Sequence, residues 1–195
     1  MDLTTKERVK VLTEAGGHGN DSLDTLYAKV ITEVSAAVEK YLDRYALEAT
    51  RTETLDVFDG QSVLTLRGYP VNASPAPVVK CDAARAFGSD SVVSDSLYAI
   101  DHETGQVLFD GFLPTPGPRV AAVTYKGGMA ADVAGFVSAY PDIAGAVDLQ
   151  VATLIQRRGN LSAQSAGAGS GNAAWEGSYK LLAEVTRVLD SHARR

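Results

Sequence analysis

Apolar residues along this chain change their spacing twice, and the changes divide it into three stretches. From about Asp21 to Leu47, Leu23, Leu26, Tyr27, Val30, Val34, Ala37, Val38, Tyr41 and Leu42 recur every three or four positions. Asp24, Lys29, Glu33, Glu39, Lys40 and Asp43 fall largely on the other side. That period predicts an amphipathic helix with one buried face. Ahead of it, Thr4-Thr5-Lys6-Glu7 has the form of a capping box, with Thr4 satisfying a first-turn amide and Glu7 reaching back. Gly16-Gly17 ends the short helix so opened, and Asn20-Asp21-Ser22 caps the next.

Near Thr50 the period drops to two. Leu55 and Val57 alternate with polar residues before Asp59-Gly60, and Leu64 and Leu66 alternate after it, which predicts a β-hairpin. Pro70, Pro75 and Pro77 interrupt the ladder, because proline has no amide hydrogen to donate. Val78-Val79 predicts a short strand and Ser89-Asp90-Ser91 a loop. Tyr98 to Ile100 and Gln106 to Phe109 suit a second hairpin around His102-Glu103-Thr104-Gly105. Pro114, Pro116 and Pro118 stiffen a connector into a last strand, Arg119 to Tyr125, ended by Gly127-Gly128.

Helical spacing returns at Tyr140-Pro141-Asp142, where proline takes a permitted first-turn position. Ile143, Val147, Val151, Leu154 and Ile155 form its apolar face, and Arg157-Arg158-Gly159 marks its end. Residues 160–174 are rich in Gly, Ser and Ala and read as a flexible loop. Trp175 and Tyr179 then open a final segment in which Leu182, Val185 and Leu189 are spaced for a short amphipathic helix. The expected class is therefore α+β. Residues 1–49 and 129–195 make a helical bundle with a C-terminal tail, and 50–128 a β-rich insertion of hairpins.

Composition narrows the function. The chain has 195 residues, 45% hydrophobic and 22% charged, in the ordinary range for a globular protein. Its formal charge of −6 argues against a nucleic-acid binder, which needs clustered Lys and Arg, and no basic–aromatic stripe stands out. It remains compatible with a protein that DNA merely passes. Cys81 is the only cysteine, so no intramolecular disulfide and no thiolate metal cage is expected. Asp2, Lys6, Glu7 and Arg8 leave no apolar signal-peptide core, and no apolar run reaches the roughly 20 residues that span a bilayer. A soluble chain with no membrane partner is expected.

Catalytic chemistry has little to stand on. Asp101-His102-Glu103 sets a histidine between two carboxylates, but Gln106 stands where a zincin needs its second histidine. The following Thr104-Gly105 makes a hairpin turn the better reading. Gly167, Gly169 and Gly171 lead into Asn172, without the Lys and Ser/Thr of a phosphate loop. His18 and His192 have no neighbours of the right type. No catalytic residue, cofactor or metal ligand is assigned. The aromatic-anchored segment Trp175–Arg195 is either a final core helix or a helix that docks on a partner. In an oligomer one subunit's tail can serve both purposes.

Three phrases, in their order and between helices, carry a resemblance. They are Leu66-Arg67-Gly68-Tyr69-Pro70-Val71, Tyr98-Ala99-Ile100-Asp101 with Glu103-Thr104-Gly105-Gln106-Val107, and Val123-Thr124-Tyr125-Lys126-Gly127-Gly128. Over roughly residues 3–190 the chain resembles the head–tail connector (adaptor, head-completion) proteins of tailed bacteriophages. Leu66, Gly68, Pro70 and Val71 match that family's Leu-x-Gly-x-Pro-Val phrase, and Tyr125 and Gly128 the end of its last strand. The resemblance implies a structural virion protein and not an enzyme. It implies a homo-oligomeric ring, dodecameric in the family, that sits on the portal protein and links the capsid vertex to tail or neck proteins. The ring extends the channel through which genome DNA passes without specific binding. It implies assembly in the bacterial host cytoplasm and residence in the virion neck. By the same resemblance Trp175, Tyr179, Leu182, Val185 and Leu189 are portal-contact candidates. The alternatives are another neck or tail-completion protein that binds tail components, and a small hydrolase whose catalytic residues meet only in the fold.

Overall fold

Helices come from both ends of the chain and strands from its middle. The computed structural model describes residues 2–13, 24–111, 113, 116–164 and 181–193, the side chains of 157–164 excepted. The chain divides into two compact units, one of residues 1–43 and 132–195 and the other of 44–131. Among the described residues no helix is long and apolar enough to cross a membrane.

The first unit contains α1 (Lys6–Thr13), α2 (Asp24–Leu42), α3 (Val133–Ala139), α4 (Pro141–Gln164) and α5 (Ala183–Asp190). Tyr27, Val30, Ile31, Val34, Val38 and Leu42 line one buried stripe of α2, as the three-and-four spacing requires. Ile143, Val147, Val151 and Ile155 form the matching stripe of α4, and both α1 and α2 pack on it. A polar node lies inside this bundle. Buried Asp148 accepts from the Thr4 hydroxyl and, at 2.6 Å, from the Arg8 guanidinium. A buried carboxylate is tolerable only when paired in this way. The Leu3 amide donates to Ser35 Oγ at 2.9 Å, so the chain start is fixed before the first helix begins.

Four local expectations change. Thr4 is not the first cap: its hydroxyl is spent on Asp148, and Thr5 Oγ accepts from the Arg8 amide instead. The second helix stops at Leu42 and not at Leu47, because Asp43 sits at a φ of 50°, where an α-helix cannot continue. The helix from Pro141 runs through Arg157-Arg158-Gly159 to Gln164, since one interior glycine costs only about 1 kcal/mol. α3 is an addition, opened by Asp132, whose side chain accepts from the Gly135 amide at 2.7 Å. The expected turn and cap at Gly16-Gly17 and Asn20-Asp21-Ser22 lie outside the described residues.

The second unit holds β1 (Ala49–Val57), β2 (Val63–Thr65), β3 (Val78–Cys81), β4 (Tyr98–Asp101), β5 (Gln106–Phe109) and β6 (Gly117–Gly127). They form two three-stranded antiparallel sheets, ordered β1-β6-β3 and β2-β5-β4. The second expected hairpin is present as β4–β5. The first is not: β1 and β2 exist on either side of Asp59-Gly60, but they pair in different sheets. Gln61 closes the turn between them. Its amide donates to the Phe58 carbonyl and its side chain accepts from the Phe58 amide at 2.8 Å, closing the turn on itself. β1 pairs along β6 from Ala49–Gly127 to Val57–Gly117. Val57, Leu64, Leu66, Val79, Val107, Val120, Val123 and Tyr125 from both sheets share one apolar core.

Candidate functional site

The three phrases singled out in the sequence converge in the second unit. The Leu66 amide donates to the Gly105 carbonyl at 2.9 Å and the Val71 amide to the His102 carbonyl at 2.7 Å, joining the first phrase to the second. The Asn72 amide donates to the Lys126 carbonyl at 2.8 Å and the Gly128 amide to the Pro70 carbonyl at 3.1 Å, joining it to the third. At the centre lies Tyr125, with 1% of its surface exposed. Its hydroxyl donates to the buried Glu53 carboxylate and accepts from the Gly68 amide at 2.8 Å. Glu53 also accepts from the Arg67 amide at 3.2 Å. Burial, and next the hydrogen bond to Glu53, push the Tyr125 phenol far above its usual range.

The phrase glycines Gly68, Gly105, Gly127 and Gly128 are dictated by this packing. A β-carbon on Gly68 would stand 2.6 Å from the Tyr125 oxygen, and one on Gly127 would strike the Gly68 carbonyl oxygen and lie 2.8 Å from that of Pro70. The phrases are thus an internal fastening between two sheets. Pro70, Ala99, Glu103 and Thr104 are their exposed members.

Arginines brace the same region. The Arg44 guanidinium lies 3.6 Å from the centre of the Tyr69 ring and donates to its carbonyl at 2.9 Å. Arg51 stacks on Tyr45 at 4.1 Å, with Arg67 at 5.1 Å, and Arg51 donates to the Gly127 carbonyl at 3.1 Å. Stacked guanidinium groups are attracted by the ring quadrupole. The sequence shows no basic–aromatic stripe because these residues come from three separated segments.

Asp101-His102-Glu103 is a turn. The Asp101 carboxylate accepts from the Glu103 amide at 3.0 Å and the Thr104 amide at 3.3 Å, and bonds with Thr104 hold it below the usual carboxylate range. His102 Nδ1 is 2.9 Å from the Val71 carbonyl, an acceptor, so that nitrogen carries the proton. Burial raises the Cys81 thiol. Among the described residues no cluster of His, Cys, Asp or Glu is placed to hold a metal.

The C-terminal helix has a built seat in the first unit. Val185 and Leu189 of α5 are fully buried, with α4 as the main partner and α2 beside it. Polar bonds fix both ends. Buried Gln150 accepts from the Leu182 amide at 2.8 Å where the chain enters. At the far end Tyr41 donates to Asp190 at 2.6 Å, and His192 Nε2 meets Asp142 at 2.7 Å. The His192 bond holds the Asp142 carboxyl below its usual range, and Asp190 pushes the Tyr41 phenol up. The His192 and Tyr140 rings also meet nearly at right angles, 6.0 Å between centres. Of the residues expected at a partner contact, Leu182 is half-buried, Val185 and Leu189 hold α5 on the bundle, and Trp175 and Tyr179 lie outside the described residues.

No protein-family model and no curated protein matches this chain. Solved structures do. Over 99% of its length the chain superposes on a chain from the neck of an empty gene transfer agent (GTA) particle computed with C6 symmetry. The TM-score there is 0.62 at 16% identity, with 94% of that chain covered. A chain from the neck of the native GTA particle computed with C12 symmetry gives 0.54 at 16% identity, covering 93% of that chain. One from the virion of the native GTA particle gives 0.59 at 15% identity, covering 94% of that chain. This chain shares the fold of those neck chains. The matched span takes in both the helices and the strands.

Proposed function

We propose that the chain is a structural neck protein, a head–tail connector that assembles as a ring on a portal and joins the capsid vertex to the tail. One observation carries this reading: end-to-end correspondence with chains of GTA necks computed with C6 and C12 symmetry. Rings of identical copies need two different patches on each subunit, which a two-unit chain can supply. The net charge of −6 suits a conduit, because an acidic wall does not grip the phosphates of a passing genome. Nothing in the fastening of the three phrases requires a substrate.

In this reading the C-terminal segment is the portal-facing part. Trp175, Tyr179 and Leu182 precede α5 and remain contact candidates while α5 keeps its seat. Val185 and Leu189 reach the portal only where α5 leaves that seat.

The test is co-sedimentation of the purified protein with the portal protein from the same source, with and without residues 175–195. Binding in ring stoichiometry supports the connector, and its loss on truncation supports the tail contact. Binding that survives truncation keeps the connector and removes the tail. If folded protein ignores the portal but binds tail components, the tail-completion reading replaces it.

A further inference from the structure

We infer that α5 is an exchangeable clasp, seated in the assembled ring on the α2–α4 face of the next copy. The inference rests on the ring reading above and names a second copy of this chain as the partner of that seat. Three observations carry it.

The first is that the seat is complete and specific. Val185 and Leu189 fill it, Gln150 bonds the entering Leu182 amide, and Tyr41 and Asp142 bond Asp190 and His192 at the far end. Every one of these groups recurs unchanged on every copy. A neighbour's face therefore offers α5 the same contacts as its own.

The second is that α5 has no independent stability. Eight residues fall short of the roughly 12–15 at which an isolated helix becomes even marginal in water. Its order is borrowed from a seat, so a copy whose α5 has left must find another seat of the same chemistry.

The third is reach. Sixteen residues, 165–180, separate the end of α4 from Leu181. Extended chain covers up to about 3.3–3.6 Å per residue, or roughly 55 Å for this length. A unit of about 100 residues has a radius of gyration of about 13 Å, which puts equivalent seats on adjoining copies about 35 Å apart. The link exceeds the distance it must cross. Exchange of an identical element costs no contacts and ties each subunit to the next, and around a closed ring it uses two different patches per copy.

The experiment uses full-length protein with a benzophenone side chain in place of Thr186, a half-buried position on α5. Equal amounts of isotopically light and heavy protein are mixed as monomers, assembled with the portal, illuminated and digested. Monomers illuminated alone give the same-copy product and identify the α4 or α2 peptide that α5 touches. With exchange, about half of the products from rings join a light peptide to a heavy one, the random share for a helix seated on a neighbour. Rings whose products all join peptides of one mass overturn the exchange and leave the connector standing. Protein that forms no ring with its portal overturns the ring reading and the exchange with it.

Discussion

Tyr125→Phe removes one oxygen from the centre of the two-sheet unit, and the structure says what that oxygen holds. It donates to Glu53, a carboxylate buried to 8% exposure, and accepts the amide of Gly68. The phenylalanine ring fills the same space, so no cavity opens. The loss is polar. A buried amide left without an acceptor costs about 1–3 kcal/mol, and a hydrogen bond to a charged group contributes about 1.5–3 kcal/mol. One hydroxyl carries both, so the expected destabilisation is about 3 kcal/mol, not their sum. With a urea slope of about 1–3 kcal/mol/M, the midpoint of unit 44–131 falls by about 1–3 M. The single tryptophan, Trp175, lies outside that unit, so the assay is hydrogen exchange of the Gly68 and Val71 amides along a urea series. The Tyr125→Phe and Glu53→Gln effects combine less than additively if the two groups act as one node. The pH dependence supplies a second reading. Because the folded state holds the phenol above its unfolded value near 10, its contribution is intact below pH 10 and lost as pH rises beyond it. Tyr125→Phe removes that alkaline loss. A stability change below about 1 kcal/mol with unaltered Gly68 exchange would refute the account of the three phrases as an internal fastening.

Gly127→Ala drives a β-carbon into the Gly68 carbonyl, and the expected cost of about 3 kcal/mol or more appears as loss of the β-sheet signal in circular dichroism at ambient temperature. The Asp82 carboxylate accepts from the amides of Ala84, Ala86 and Phe87 at 2.8–2.9 Å, bonds that hold it below its usual range. These bonds are intact above about pH 4 and fail as pH falls through the lowered value, so Asp82→Asn is expected to raise exchange at those three amides at pH 7 and to flatten their acid dependence. Leu189→Ala empties the floor of the α5 seat and costs about 2–5 kcal/mol, which releases residues 183–190 to rapid exchange while unit 44–131 is unchanged. The exposed Arg187→Ala on the same helix is expected to stay within about 0.5 kcal/mol, and equal effects of the two would discard the seat.

The sequence announced its helices through repetition and lost them at their ends. The apolar positions that recur from Leu26 to Leu42 in the second helix outvote any local irregularity, but its stop depends on one backbone angle at Asp43, and nothing in the composition marks it. Strands were legible one at a time, and a partner only where a short turn joins two of them, as in β4–β5. Leu55 to Leu66 has every mark of a hairpin, and the pairing still goes to β6 and β5, because register is decided by distant segments. The α5 seat was half visible. The spacing of Val185 and Leu189 gave the buried face, whereas Gln150, Tyr41 and Asp142 each sit on another helix at a separation no local pattern encodes. The Arg44, Arg51 and Arg67 stacks were missed for the same reason.

Most of the residues matched to the connector phrases, Leu66, Gly68, Val71, Tyr125 and Gly128 among them, are also interior. Steric demand falls on few positions here: no side chain fits at Gly68 or Gly127, and Tyr125 and Glu53 must satisfy two buried amides between them. A fold held by so few strict positions can keep its course while most other residues drift, which agrees with 16% identity alongside 99% coverage. The same fact separates fold from partner. Substitutions at the buried phrase positions Gly68, Tyr125 and Gly127 act on the fold first, so they do not test a partner contact. Discrimination has to come from exposed positions: Phe58, 71% exposed on its self-closed turn, and Leu97 and Leu108 of the β2-β5-β4 side, 52% and 40% exposed. Charging any of these leaves the core intact. If Phe58→Asp or Leu108→Asp abolishes one partner and spares the other with the fold unchanged, the contact face is located; if charging all three is silent toward both, these positions lie off the contact face.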